Sequence, residues 1–93
     1  MAKIVKGDHK FYIGEDEAKP IAQITYKDVD DRTIIADHTF VSESLRGQGI
    51  AGKLFNELMA FVEEENKKVI PTCSYVKAKM ERSKKYREYI HKG

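Results

Sequence analysis

The sequence predicts a single α+β domain built on a mixed, mostly antiparallel twisted sheet, with one βαβ unit and helices at its C-terminal end. Two observations predict it. Up to Val41 the chain offers β-rich runs joined by links too short for a crossover helix, and from Ile50 its apolar residues recur every three or four positions. With 93 residues there is room for one core, and surface scaling at this size leaves roughly two thirds of the extended chain's surface buried.

The segment from Lys3 to Gly14 reads as an opening hairpin. It breaks at Gly7 and Asp8, then runs His9, Lys10, Phe11, Tyr12, Ile13, a β-branched and aromatic composition suited to a strand. After the acidic turn from Gly14 to Lys19, residues Pro20 to Lys27 alternate. Ala22, Ile24 and Tyr26 fall on one face and Ile21, Gln23 and Thr25 on the other. Asp28 to Arg32 is turn material, and Thr33 to Val41 resumes the β-rich composition. From Ile50, the spacing of Ala51, Leu54, Phe55, Leu58, Phe61 and Val62 makes an amphipathic helix whose C-terminus suits Asn66, Lys67 and Lys68. Val69 to Cys73 reads as a short strand, and pairing it parallel to Thr33–Val41 gives a right-handed crossover. Val76 and Met80 continue into a second helix, and Ser83 is placed to cap a third through Tyr86, Tyr89 and Ile90.

Composition narrows the class. A chain that is 41% hydrophobic and 34% charged lies outside the disordered and fibrous groups. Its one cysteine forms no intramolecular disulfide and gives no paired thiolates for structural zinc, so we expect no metal and a reducing compartment. No apolar stretch approaches the roughly 18 residues of a membrane span, and Met1 to Lys6 has no continuous apolar run. The expected location is cytoplasmic. The net charge of +2 conceals an asymmetry. Residues 1–66 hold 8 basic and 13 acidic side chains, residues 67–93 hold 9 basic and 2 acidic, and such a field attracts anions or is simply a solvated basic face.

The chemically informative stretch is Leu45-Arg46-Gly47-Gln48-Gly49-Ile50-Ala51-Gly52-Lys53-Leu54, where a predicted strand passes into a predicted helix. Small residues there let a phosphate reach main-chain N–H groups at a helix N-terminus, or merely turn the chain and let the helix pack closely. Gly47 to Lys53 fits most of the P-loop pattern, but Leu54 stands where a magnesium-binding Ser or Thr belongs. Gly47, Gly49 and Gly52 satisfy the dinucleotide fingerprint, yet the next strand ends at Thr72 and Cys73 where an acidic residue is required.

A third reading explains more of the chain. Arg46, Gly49 and Ala51 make the pattern [RQ]-x-x-G-x-[GA], and Val41 to Leu54 resembles the acyl-CoA-binding motif of the GCN5-related N-acetyltransferase (GNAT) family. The order of strands and helices over residues 9 to 82 is similar to that family's core. The resemblance implies a GNAT-like fold binding acetyl-CoA, with backbone groups of Arg46, Gly47, Gln48, Gly49, Ile50, Ala51 and Gly52 around the pyrophosphate and main-chain groups of Thr39 and Val41 along the pantetheine arm. It also implies acetyl transfer to an amine, but it does not fix the acceptor; an open acceptor side could admit a protein or peptide amine, or could mean binding of acyl-CoA without efficient transfer. The 3′-phosphate would meet lysines of the basic C-terminal third, without saying which. The link Gly14–Lys19 is too short for the helical segment that usually helps build the family's acceptor site, so the chain is closest to the family's minimal members of under about 100 residues.

Direct transfer needs a base for the amine and an acid for the leaving thiolate. His38, the only histidine in the strand before the loop, is the candidate base, or else a histidine on a sheet face. Tyr75 follows the last strand where many family members place a tyrosine acid. Cys73, at the end of that strand and just before a helix, would be an acyl-accepting nucleophile with His38 as its base, or a small packing residue. Asp37 and Glu43 are further candidate bases. The rival readings are a non-catalytic acyl-CoA-binding module and a nucleic-acid or partner surface on the basic C-terminal segment. The spacing of Tyr86 and Tyr89 favours packing on the sheet and argues against nucleic acid.

Overall fold

The chain turns back at Asp8 and His9, joining β1 (Val5–Gly7) to β2 (Lys10–Ile13). His9, expected to open the second strand, instead takes the left-handed conformation with φ 58°. Its ring is held from both sides, Nδ1 by Asp8 Oδ1 and Nε2 by Asp28 Oδ2, each at 2.7 Å. These hydrogen bonds, Asp28 first and then Asp8, raise the imidazole pKa above its ordinary value. The charged ring is therefore favoured by the fold. Its stabilisation of the hairpin is complete below about pH 6.5 and is lost as pH rises through the elevated folded value. In a histidine NMR titration, His9 should titrate above the usual value and Asp28→Asn should bring it down. An unshifted His9 in both proteins would contradict this clamp.

In this computed structural model, which describes residues 3–91, the sheet continues through β3 (Ala22–Asp28) and β4 (Thr33–Val41) to β5 (Lys68–Pro71), in the order β1-β2-β3-β4-β5. Met1, Ala2, Lys92 and Gly93, which entered the readings of the chain's start and of its basic end, lie outside the described residues. The first four strands are antiparallel and β5 runs parallel to β4, as the sequence predicts. β3 begins at Ala22, two residues later than expected, and β5 ends at Pro71 rather than at Cys73.

Between β4 and β5 a 3₁₀ turn (Glu43–Leu45) and a glycine loop lead into α1 (Ile50–Glu64). Its apolar stripe, Ile50, Leu54, Phe55, Leu58, Met59 and Val62, is buried in one core with Ala22, Ile24 and Tyr26 of β3 and Ile34 and Ala36 of β4. Each fully buried Leu, Ile, Val, Phe or Met side chain stabilises the fold by about 1.5–3 kcal/mol. Asn66, with φ 53°, ends the helix. The N–H groups of Asn66 and Lys67 return to the carbonyls of Glu63 and Val62 at 3.2 and 2.9 Å, which satisfies the last turn. α2 (Ser74–Arg82) buries Val76 and Met80. Ser83 caps α3 (Lys84–Arg87) by accepting from the Tyr86 N–H at 3.3 Å, as its sequence position suggests. The helix stops before Tyr89 and Ile90, which the spacing places on it, because Ile90 bridges to Val69 instead. Beyond α3 the chain closes the outer edge of β5, where Val69 N–H donates to Tyr89 C=O at 2.7 Å and His91 N–H to Val69 C=O at 2.8 Å.

A bulge in β4 decides which side chains face the helices. Thr25 pairs with His38 and Tyr26 with Ala36, so Asp37 is the extra residue. Before it, Ile34 and Ala36 face α1. After it the parity reverses, putting Thr39 and Val41 opposite buried Ile24 and Ala22 and turning His38 and Phe40 to the outer face. Thr25 Oγ1 donates to Asp37 Oδ1 at 2.6 Å and fixes the extra residue on that outer face.

Candidate functional site

The parallel ladder runs from Thr33↔Lys68 to Ala36↔Pro71. There the two strands part. The N–H groups of Thr72 and Cys73 both donate to Ala36 C=O, at 3.2 and 3.0 Å, and the chain turns into α2 with Cys73 as its N-cap. β4 continues through Asp37–Val41 beyond this last rung. Ser42 N–H donates toward β3, to Ile21 C=O at 2.8 Å. By strand alternation the peptide groups of Val41 and Thr39 turn the other way, into the split.

The loop at the end of β4 carries two residues in the left-handed region, Gly47 (φ 84°) and Gly49 (φ 71°), and at both a side chain would enter open space. That conformation is strained for any residue with a Cβ. Gly49 is the N-cap of α1, so no side chain satisfies the first-turn N–H groups, and no acidic residue occupies that turn. The first helical bond is from Lys53 N–H to Gly49 C=O, at 3.2 Å. The N–H groups of Ile50, Ala51 and Gly52 remain available at the positive end of the helix dipole.

These groups border an open cavity of about 370 Å³ lined by Val41, Leu45, Arg46, Gly47, Gly49, Ile50, Ala51, Gly52, Tyr75 and Lys79. Seven of the nine residues expected around the cofactor are among them. Of the other two, Thr39 lies deeper along β4, with its hydroxyl 3.5 Å from Cys73 Sγ, and Gln48 is exposed and donates to Ser44 C=O at 3.4 Å. Tyr75, in the first turn of α2, closes the opposite wall. A Cβ built on Gly52 would lie 3.8 Å from its hydroxyl, so glycine lets the two helices approach here. Burial first, and repulsion from Cys73 second, push the Tyr75 phenol pKa above its ordinary value. It is a proton donor throughout the neutral range.

The structure brings Thr39, Cys73 and Tyr75 to one edge of the split, but not His38. His38 is adjacent to Thr39 in a strand and points to the other face, so the expected His38–Cys73 pair is not formed. Asp37 is likewise on the outer face, bonded to Thr25 and 3.7 Å from Lys27 Nζ, and Glu43 is exposed in the 3₁₀ turn. Sequence reasoning left Lys79 among undifferentiated lysines. Its place four residues after Tyr75, one helical turn along the same face, is the signal that would have singled it out.

The family described as GCN5-related N-acetyl-transferase matches residues 10–89. The chain belongs to the GCN5-related N-acetyltransferase family. A GCN5-like protein from Staphylococcus aureus, known from an NMR solution structure, is 40% identical to this GNAT chain. Its TM-score is 0.78, and the match covers 96% of this chain and 87% of that one. A crystal structure of a GNAT family acetyltransferase from Elizabethkingia anophelis with acetyl-CoA bound is 18% identical, with a TM-score of 0.56 over 83% of this chain and 51% of that one. That likeness is one of fold alone. Protein NATD1 of Xenopus tropicalis is 40% identical over 55 residues, which are 59% of this chain and 50% of that protein. The chain thus spans about half the length of the curated relative it matches. Among the described residues no helix is long and apolar enough to cross a membrane.

Proposed function

We propose that this GNAT protein binds acetyl-CoA in the cavity between the Arg46–Gly52 loop and α2 and transfers its acetyl group to an amine. One observation carries this reading. An uncapped helix N-terminus and two left-handed glycines border a cavity that reaches, by way of Val41, toward the split between β4 and β5. The residues present fit the donor: unsatisfied N–H groups for a pyrophosphate, open space where side chains would obstruct it, and Arg46 for added charge.

Acetyl-CoA, when bound, supplies a thioester carbonyl open to nucleophilic attack. The peptide groups of Thr39 and Val41 orient the extended arm in the split, and Tyr75 holds a proton at Oη for the departing sulfur. His38, with its ring exposed on the outer face, serves as base for an amine arriving from that side rather than as partner to Cys73. The acceptor is a protein or peptide amine. The short Gly14–Lys19 link leaves the outer face open, with Phe40 and Ile21 about two fifths exposed.

Cys73 offers a second route, favoured by its position at the split beside Thr39. Its sulfur would form a new thioester as the bond to the CoA sulfur breaks, the thiol proton leaving with CoA, before an amine takes the acetyl group. The test is mass spectrometry of amines, lysine peptides and peptide N-termini among them, incubated with acetyl-CoA and either wild type or Cys73→Ala. Acetylated amine in both supports direct transfer. Product with wild type alone, accompanied by acetylated Cys73, supports the cysteine route. No acetylated amine with wild type would overturn transfer as the function.

A further inference from the structure

We infer that the groove between α1 and α2 reads the 3′-phosphate of CoA through Lys79 and Arg82 and so selects CoA over nucleotides that lack this group. This rests on the reading that acetyl-CoA occupies the loop cavity. Lys79 lines that cavity, and it also lines a second one of about 210 Å³ together with Phe55, Asn56, Arg82, Ser83 and Tyr86. The two are neighbouring parts of one groove. Along α2 they are reached in order from Cys73 at the split, with Tyr75, then Lys79, then Arg82 at successive turns. Along α1, Asn56 lies about 6 Å beyond Gly52.

That order fixes which end of the ligand each part receives. If the arm runs from the loop into the split at Val41 and Thr39, the nucleotide leaves the pyrophosphate on the side away from the split. It then lies beside Lys79 and Arg82. The charge is of the right sign and undiluted. Among the described residues, the only charged ones lining the two cavities are Arg46, Lys79 and Arg82. By contrast, the cavity at His9 mixes Asp8, Asp28 and Asp37 with Lys10 and Lys27, and the one beside Phe61 sets Glu57, Glu64 and Glu65 against Lys6. The ion pairs among the described residues use His9, Lys27 and Lys85 and leave Lys79 and Arg82 without a carboxylate.

The aromatic floor is equally ordered. Tyr86 meets Phe55 edge-on at 5.4 Å between ring centroids, and Lys79 Nζ stands 5.9 Å from the centre of the Phe55 ring. This holds the ammonium over the groove, where a phosphate monoester would gain charge-assisted hydrogen bonds. Phe55 itself is buried, so it is the partly exposed ring of Tyr86, braced on it, that offers apolar surface to the adenine.

The experiment is calorimetric titration of CoA and of 3′-dephospho-CoA into wild type, Lys79→Met/Arg82→Gln and Lys79→Arg. The methionine keeps the stem over Phe55, and a thermal melt shows whether the fold persists. Wild type should prefer CoA by about tenfold or more, and the preference should shrink as salt is raised. In the double variant the two ligands should bind within about twofold of each other, through loss of CoA affinity with dephospho-CoA little changed, and Lys79→Arg should keep the preference. Equal affinities in wild type, or a double variant that loses both ligands alike, would overturn the subsite while leaving the cofactor reading intact. Binding of neither ligand to wild type would overturn both.

Discussion

Ala51→Trp should weaken acetyl-CoA binding by at least about 100-fold, or about 2.8 kcal/mol, while the protein remains folded. Ala51 is half-buried in the first turn of α1 and borders the loop cavity, so the indole would occupy ligand space without displacing a core residue. Its melting free energy should stay within about 0.5 kcal/mol of wild type. Gly49→Val is the instructive contrast. At φ 71° a β-branched residue adds backbone strain of about 1–3 kcal/mol, so this variant should lose stability as well as affinity. Calorimetric titration and thermal unfolding of both proteins separate the two effects. An Ala51→Trp protein that bound acetyl-CoA normally would place the cofactor elsewhere.

Tyr75→Phe should lower kcat by about 100-fold or more with little change in KM for acetyl-CoA, the size expected for loss of a positioned acid. Removing the hydroxyl leaves the ring that lines the cavity in place. The pH dependence follows from the raised phenol pKa. Because the fold favours the neutral phenol, the stability and the proton-donating form are both complete below about 10, the usual tyrosine value, and are lost as pH rises through the elevated folded value. The descending limb of the wild-type rate profile should therefore lie above pH 10 by this reasoning and be absent from Tyr75→Phe. Equal kcat in the two proteins would remove Tyr75 from the chemistry.

The parts of this fold that were legible in the sequence are those set by local rules. Alternation put Ala22, Ile24 and Tyr26 on one face, which proves to be the buried one, the three-and-four spacing from Ile50 marked α1, and Ser83 signalled its cap. The glycine loop was legible because left-handed backbone and helix N-termini have strict residue preferences. What escaped was set by pairing between strands. The bulge at Asp37 depends on how β4 meets β3, and nothing in Thr33–Val41 announces it, yet it sends His38 outward and Thr39 inward. The end of β5 at Pro71 has the same origin, since Ala36 C=O captures the Thr72 and Cys73 N–H groups and draws the chain off the sheet. Lys79 was hidden among equivalent lysines until the packing of α2 against α1 chose it.

The measurement that tests the central claim most directly is an amide-shift titration of isotope-labelled protein with acetyl-CoA, with ATP and NAD as controls and Ala51→Trp in parallel. Saturable shifts concentrated at residues 46–52 and beside Val41, Cys73 and Tyr75 are expected in wild type, absent with the controls and lost in Ala51→Trp. Saturable shifts elsewhere on the domain, or none at all, would contradict the assignment of this cavity as the acetyl-CoA site.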